Sequence, residues 1–284
     1  MSRNLTLSCE FFPPKTDKGV NNLRRVRDEL APLKSEFYSV TFGAGGSTQD
    51  NTLEAVIDIQ QSQPQTGIDA APHLSCVGST AERLRQILQT YQQHNIRRIV
   101  ALRGDLPSGM RDPGDFRYAS ELVEFIRAET GDFFTIEVAA YPEVHPQAQT
   151  AEYDLDNFKR KVDAGANSAI TQYFYNIDAY RFFVDRCQQK GIDIPIIPGI
   201  MPINNFAQLA RFSASCGAEI PRWLRKRLEE FYDDIESMQA FTLDFLTEFT
   251  QQLIDCDVPG LHFYTMNKTQ PTLTVCERLG LIED

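Results

Sequence analysis

Eight short apolar runs, rich in β-branched and aromatic residues, alternate along the chain with longer stretches of helical periodicity. No other feature restricts the fold as strongly. The runs cover residues 6–12, 37–42, 68–76, 98–102, 134–141, 168–175, 194–201 and 260–264. Helix-like stretches between them include 21–33, 48–61, 80–94, 116–129 and 152–164. In the third of these, Leu84, Ile87, Leu88 and Tyr91 recur at three- and four-residue steps and so share one helix face. Ser79-Thr80 can cap that helix, while Gly165 and Gly191 can end the fifth and sixth. Strands that alternate with helices pair in parallel, and eight of them close as an α/β (β/α)8 TIM barrel. An open doubly wound sheet is the structural competitor. The last interval, 202–259, is longer than the others and includes the charged stretch 221–236, so an extra helix is expected between strands seven and eight. No linker or low-complexity stretch interrupts residues 1–284, which are read as one domain.

The formal charge of −11 disfavours nucleic acid or an anionic membrane as the main partner, but a few Arg and Lys can still form a local anion pocket. No apolar run approaches the roughly 18 residues of a membrane span, and the first residues run straight into strand-like sequence without room for a signal peptide. The expected location is the cytoplasm. Cys9, Cys76, Cys187, Cys216, Cys256 and Cys276 are scattered without a C-x-x-C pair, which points to small buried residues. His73 and His145 lack the H-x-x-x-H or clustered-carboxylate context of a metal site, and no metal is assigned.

In a barrel the chemistry gathers where strands end. Those ends carry Glu10, Thr41, His73, Arg103 with Asp105, Tyr141 with His145, Gln172, Asn204-Asn205, and Tyr264 with Asn267. Glu10 stands out because it lies between Cys9 and Phe11-Phe12. Desolvation there is expected to raise its pKa and let it hold a proton for catalysis, the alternative being a structural pair with an Arg or Lys across the barrel. Gly43-Ala44-Gly45-Gly46 is permissive backbone that either approaches a ligand or makes a turn. Arg103-Gly104-Asp105 suits a planar or phosphate-bearing ligand, or equally a strand-end ion pair. Arg160 and Lys161 on a helix are either pyrophosphate ligands or a solvated basic face. Phe206, in a polar loop, is a stacking candidate, whereas Tyr173-Phe174-Tyr175 reads as packing. Neither G-x-G-x-x-G nor a Walker A sequence occurs, so a dinucleotide would have to bind without the Rossmann fingerprint.

A set of segments resembles the methylenetetrahydrofolate reductase family in order and spacing. They begin with Glu10-Phe11-Phe12-Pro13-Pro14-Lys15, Val40-Thr41-Phe42-Gly43-Ala44-Gly45-Gly46, Ala71-Pro72-His73-Leu74 and Ala101-Leu102-Arg103-Gly104-Asp105-Leu106-Pro107. Ala140-Tyr141-Pro142-Glu143-Val144-His145-Pro146, Lys159-Arg160-Lys161-Val162-Asp163-Ala164-Gly165-Ala166 and Ile170-Thr171-Gln172-Tyr173-Phe174 follow. Pro198-Gly199-Ile200-Met201-Pro202 and His262-Phe263-Tyr264-Thr265-Met266-Asn267 complete a set spanning essentially the whole chain.

The resemblance implies an FAD-containing barrel that takes hydride from NADH or NADPH and passes it to 5,10-methylenetetrahydrofolate. The two substrates use the flavin in turn by a ping-pong mechanism, feeding one-carbon metabolism and methionine biosynthesis. By that resemblance Glu10 is the acid that protonates the folate and opens its five-membered ring. Asp105 is the carboxylate beside flavin and pterin, Gln172 contacts folate and nicotinamide, and Phe206 stacks on the substrate. Thr41, Phe42, Ala44, His73, Arg103, Gly104, Tyr118, Ala119, Tyr141, His145, Ala148, Asp154, Asn157, Arg160 and Lys161 fall at FAD-contacting positions.

The resemblance also puts Lys268 where similar bacterial members carry an Arg that meets the folate glutamate tail, which keeps the charge and loses the bidentate fork. The chain stops soon after its eighth strand, so the S-adenosylmethionine-responsive regulatory domain of eukaryotic members is expected to be absent. A homodimer or homotetramer is implied, while the choice between NADH and NADPH is not legible. The competing readings are a proline dehydrogenase-like flavin barrel, a flavin-independent reductase, and a folate- or flavin-binding subunit without catalysis of its own.

Overall fold

The first apolar run becomes β1 (Thr6–Phe11), in which Leu7, Cys9 and Phe11 are buried in the main hydrophobic cluster. Alternation along a strand turns Ser8 and Glu10 to the opposite side, and the same two-sided pattern repeats around the sheet. The computed structural model describes residues 5–42, 49–105, 114–231 and 234–282. The glycine-rich stretch 43–46, Ala44 included, lies outside them.

Helix α1 (Asp17–Leu30) leads to β2 (Phe37–Val40), α2 (Gln49–Thr66) to β3 (Asp69–Ser75), and α3 (Ala81–Gln93) to β4 (Arg98–Leu102). Next come α4 (Ala119–Thr130), β5 (Thr135–Ala140), α5 (Ala151–Asp163), β6 (Ser168–Thr171) and α6 (Ile177–Gln189). Then come β7 (Ile196–Ile197) and β8 (Gly199–Ile200), and after α7 (Phe206–Cys216), α8 (Arg222–Glu230) and α9 (Ile235–Asp255) the chain returns in β9 (Gly260–Tyr264) and α10 (Thr272–Arg278). Every strand pairing is parallel.

The expected seventh strand is split. Pro198 has no N–H to give, so β7 pairs only with β6 and β8 only with β9. The Pro198 carbonyl accepts from the His262 N–H at 3.0 Å, and the Gly199 N–H donates to the Thr171 hydroxyl at 2.9 Å. The two halves form a single stave, which joins β6 to β9 and gives eight staves around a TIM-barrel-like fold. Gly199 is required at this seam. A Cβ there would lie 2.4 Å from the Thr171 carbonyl oxygen and 2.6 Å from the Tyr264 ring.

The helix caps follow the sequence. Thr80 accepts from Arg83 N–H to open α3, and Gly165 and Gly191 take positive φ just beyond α5 and α6. The long interval holds three helices, two more than a regular repeat uses. Asn205 caps α7 by accepting from Gln208 N–H at 2.9 Å, so Phe206 is a first-turn helical residue and not part of a loop. The charged stretch contains α8, and α10 adds a helix that the apolar pattern does not predict.

Most apolar side chains lie between the strands and the surrounding helices. A small inner cluster of Phe37, Ala71, Val100 and Ile170 fills the barrel. On its amino-terminal side, Arg98 is paired with the fully buried Glu137 and with Glu36, and its guanidinium lies 4.5 Å from the Phe37 ring. Tyr173, Tyr175, Met201, Leu224 and Met238 belong to a separate cluster that seats α7, α8 and α9. No described helix is long and apolar enough to cross a membrane.

Candidate active site

Register brings Glu10 of β1 opposite Ser39 of β2 and Tyr264 of β9, at the carboxyl end of the barrel. Its Oε2 lies 3.2 Å from His73 Nε2 and 3.7 Å from His262 Nε2. Neither Nε2 is aligned for a hydrogen bond, so the contact is electrostatic. On the far side of the second ring, His262 Nδ1 and Ser8 Oγ are 2.8 Å apart. Burial pushes the Glu10 carboxyl up, but the two imidazoles outweigh it and hold the group down at about 2. The expected rise in pKa is therefore corrected. The partners are histidines from β3 and β9, and among the described residues the carboxylate is paired with neither Arg nor Lys.

Glu10 and His73 line a cavity of about 330 Å³ together with Leu102, Ala139, Tyr141, Gln172, Phe212, Cys216, Tyr264 and Met266. Burial and the charge of Glu10 raise the Tyr264 phenol, which keeps its proton and donates it to the Thr171 carbonyl at 2.8 Å.

A second cavity of about 400 Å³ adjoins the first along Leu102, Ala139 and Tyr141. Arg103, Gly104, Asp105, Tyr118, Ala119, His145, Ala148, Asp154, Asn157 and Lys161 complete the part of its lining expected from sequence. Asp154, Asn157 and Lys161 share a face of α5 through their spacing. Tyr118 and Ala119 stand at the start of α4, whose Glu121 accepts from the Arg117 and Tyr118 N–H groups. Asp154 accepts from the His145 N–H at 2.8 Å, and the His145 ring meets Tyr141 edge-on at 4.6 Å. Arg103 reaches Gln147 Oε1 at 2.7 Å. Gly104, at φ +84°, admits no other residue without strain, since a Cβ would sit 1.8 Å from Ser75 Oγ. Lys161 donates to the Ala139 carbonyl at 2.5 Å. Burial pulls its ammonium down to about 8 although Asp154 favours the charge.

The remaining expected residues lie elsewhere. Thr41 and Phe42 follow β2, where the Thr41 N–H donates to the Phe11 carbonyl, and neither lines these cavities. Arg160 is exposed and donates to Asn157 Oδ1. Phe206 packs in the α7–α9 cluster, and Phe212, on the next turns of the same helix, is the α7 aromatic that lines the mouth. Lys268 borders a third cavity, which shares Met266 with the mouth. Asn267 serves the backbone, accepting from the Phe12 N–H at 2.8 Å and donating to the Phe12 carbonyl at 2.9 Å.

Over residues 1–280 the sequence matches the profile of a family described as methylenetetrahydrofolate reductase. It is 43% identical over 277 residues to the 5,10-methylenetetrahydrofolate reductase of Escherichia coli (strain K12), which covers 98% of this chain and 91% of that one. The chain belongs to the methylenetetrahydrofolate reductase family. As a member of it, the chain is an oxidoreductase. Methylenetetrahydrofolate reductase (NADH) 1 of Arabidopsis thaliana is 38% identical over 290 residues, and the match spans 98% of this chain but 48% of the plant protein.

The fold recurs in a solved structure from Clostridium thermocellum, described as an uncharacterized protein that binds two copies of 5-methyl-5,6,7,8-tetrahydrofolic acid. The TM-score is 0.67 at 15% identity, over 98% of this chain and 96% of that one. Within this methylenetetrahydrofolate reductase family member, sequence reading missed Phe212 in the mouth, Ser8 and His262 buried behind Glu10, and Ser120, Gln147 and Tyr153 in the second cavity. His262 had one available signal, since it is a polar residue with the same inward parity as Tyr264.

Proposed function

We propose that the chain reduces 5,10-methylenetetrahydrofolate to 5-methyltetrahydrofolate, with FAD as cofactor and NADH or NADPH as donor. The two substrates take turns in the barrel mouth. The observation that carries this reading is Glu10, bracketed by two imidazoles on the wall of a cavity that shares Leu102, Ala139 and Tyr141 with a second one.

The walls of the second cavity suit FAD. Lys161 is a partly desolvated cation with carbonyl and carboxylate neighbours, and Arg103 and Asn157 line the same space. A pyrophosphate beside Lys161 would offset the desolvation that depresses its charge. When bound, FAD would supply the hydride transfer between nicotinamide and the folate one-carbon unit.

The protein contributes position, charge and a proton. Glu10 stands as the proton-transfer group facing the folate nitrogen, with His73 and His262 setting the electrostatics behind its carboxylate. We assign Gln172 to the polar edge of the bound ring and Phe212, instead of Phe206, to its face. Asp105 lines the second cavity, and a carboxylate on the flavin side favours a cationic folate intermediate in the mouth. Lys268 meets the acidic folate tail if that tail leaves the mouth past Met266.

The deciding test is the visible spectrum of the purified protein during anaerobic addition of NADH and then methylenetetrahydrofolate. A yellow protein that NADH bleaches and the folate recolours is expected. A yellow protein that the folate cannot reoxidise would remove the substrate assignment. Colourless protein, inert after FAD is added, would overturn the flavoenzyme reading.

A further inference from the structure

Helix α9 places Phe245, Glu248, Phe249 and Gln252 on one face, at the three- and four-residue spacing of neighbours on a helix surface. That face forms one wall of a cavity of about 480 Å³, opposite Trp223 at the start of α8 and Tyr175 just ahead of α6. The four aromatic rings form a continuous group. Trp223 meets Phe245 edge-on at 5.5 Å, Phe245 lies 5.9 Å from Phe249, and Tyr175 lies 6.0 Å from Phe245. Phe249 and Tyr175 are buried, while Trp223 is 54% exposed and presents an aromatic surface to the opening.

The charges around these rings do not balance. Asp178, Glu219, Glu248 and Arg181 all line the cavity. Arg181 is engaged by Asp178 Oδ1 at 3.5 Å and Cys256 Sγ at 3.2 Å. Glu219 and Glu248 make no ion pair among the described residues. No described cation stacks on Trp223, Tyr175, Phe245 or Phe249; the cation–π contacts of this region fall on Phe231 and Phe241. Aromatic faces attract cations through the ring quadrupole, and two unmatched carboxylates add to the same preference.

We propose that this cavity binds a small organic cation, an alkylated or primary ammonium, with Trp223 and Phe245 against its apolar groups and Glu219 and Glu248 balancing its charge. The site is distinct from the barrel mouth and lies close behind it. The Tyr175 hydroxyl donates to the Met201 carbonyl at 3.2 Å, and Met201 lines the mouth. The inference does not depend on the proposed reaction.

Trp223 is the only tryptophan in the chain, so its emission reports this cavity directly. The experiment titrates the whole protein with choline chloride, with sodium chloride at equal ionic strength, and with 3,3-dimethylbutanol, the neutral isostere of choline. A saturable change with choline alone is expected, and Glu219→Gln/Glu248→Gln should weaken it on the order of tenfold. A flat choline titration, an equal response to the alcohol, or a double variant that titrates like the wild type would each overturn the proposal. If the double variant does not fold, the choline-against-alcohol comparison on the unaltered protein decides alone.

Discussion

Two opposing effects act on Glu10. Removal from water favours its neutral form, while His73 and His262 favour the carboxylate, and the second effect prevails. Folding therefore depresses this pKa from its ordinary 4.5 to about 2. The resulting stabilisation is full above the ordinary value and disappears as pH falls through the folded one. The run Cys9-Glu10-Phe11-Phe12 announces the burial, so the residue was legible; its partners were not, because His73 and His262 come from strands far along the chain. Glu10→Gln should retain flavin reduction by NADH while slowing folate reduction by about 10²- to 10⁴-fold, the usual worth of a positioned proton-transfer group. Stopped-flow measurement of the two half-reactions checks this, and near-normal folate turnover would remove Glu10 from proton transfer.

At the level of elements, periodicity identified strands and helices well but located some ends poorly. The apolar run 168–175 continues past β6 because Tyr173, Phe174 and Tyr175 are buried after strand pairing has stopped. Apolar patterning reports burial and is silent about hydrogen-bond partners. The same limit explains Phe206 and Phe212. Both belong to α7, and only the packed helix shows which of them reaches the mouth. The seam at Pro198 and Gly199 offers a direct test. Gly199→Ala forces a methyl against the Thr171 carbonyl and the Tyr264 ring, neither of which can withdraw without opening the sheet. A loss of about 1–3 kcal/mol is expected, as for other overpacked sites. Chemical denaturation would measure it, and an unchanged midpoint would show that the seam can widen.

Across the whole molecule, the barrel carries buried charge at both ends but uses it differently. Glu10 opens onto a cavity at the carboxyl end, whereas Glu137 is sealed at the amino-terminal side against Arg98 and the Ser168 hydroxyl. Arg98→Met leaves Glu137 buried without its cation and should cost about 3–5 kcal/mol. Adding Glu137→Leu to that variant should restore much of the loss in urea unfolding; a double variant no more stable than the single one would show that packing, and not charge, governs the base. Strand β1 pairs with β9, more than 250 residues later, and the split stave beside β9 joins the rest of the ring. During synthesis the first strand therefore leaves the ribosome with an open edge and keeps it until the last strand has emerged. A nascent chain cannot close its barrel early, and throughout that interval its exposed backbone must be kept from other chains by chaperones or by speed.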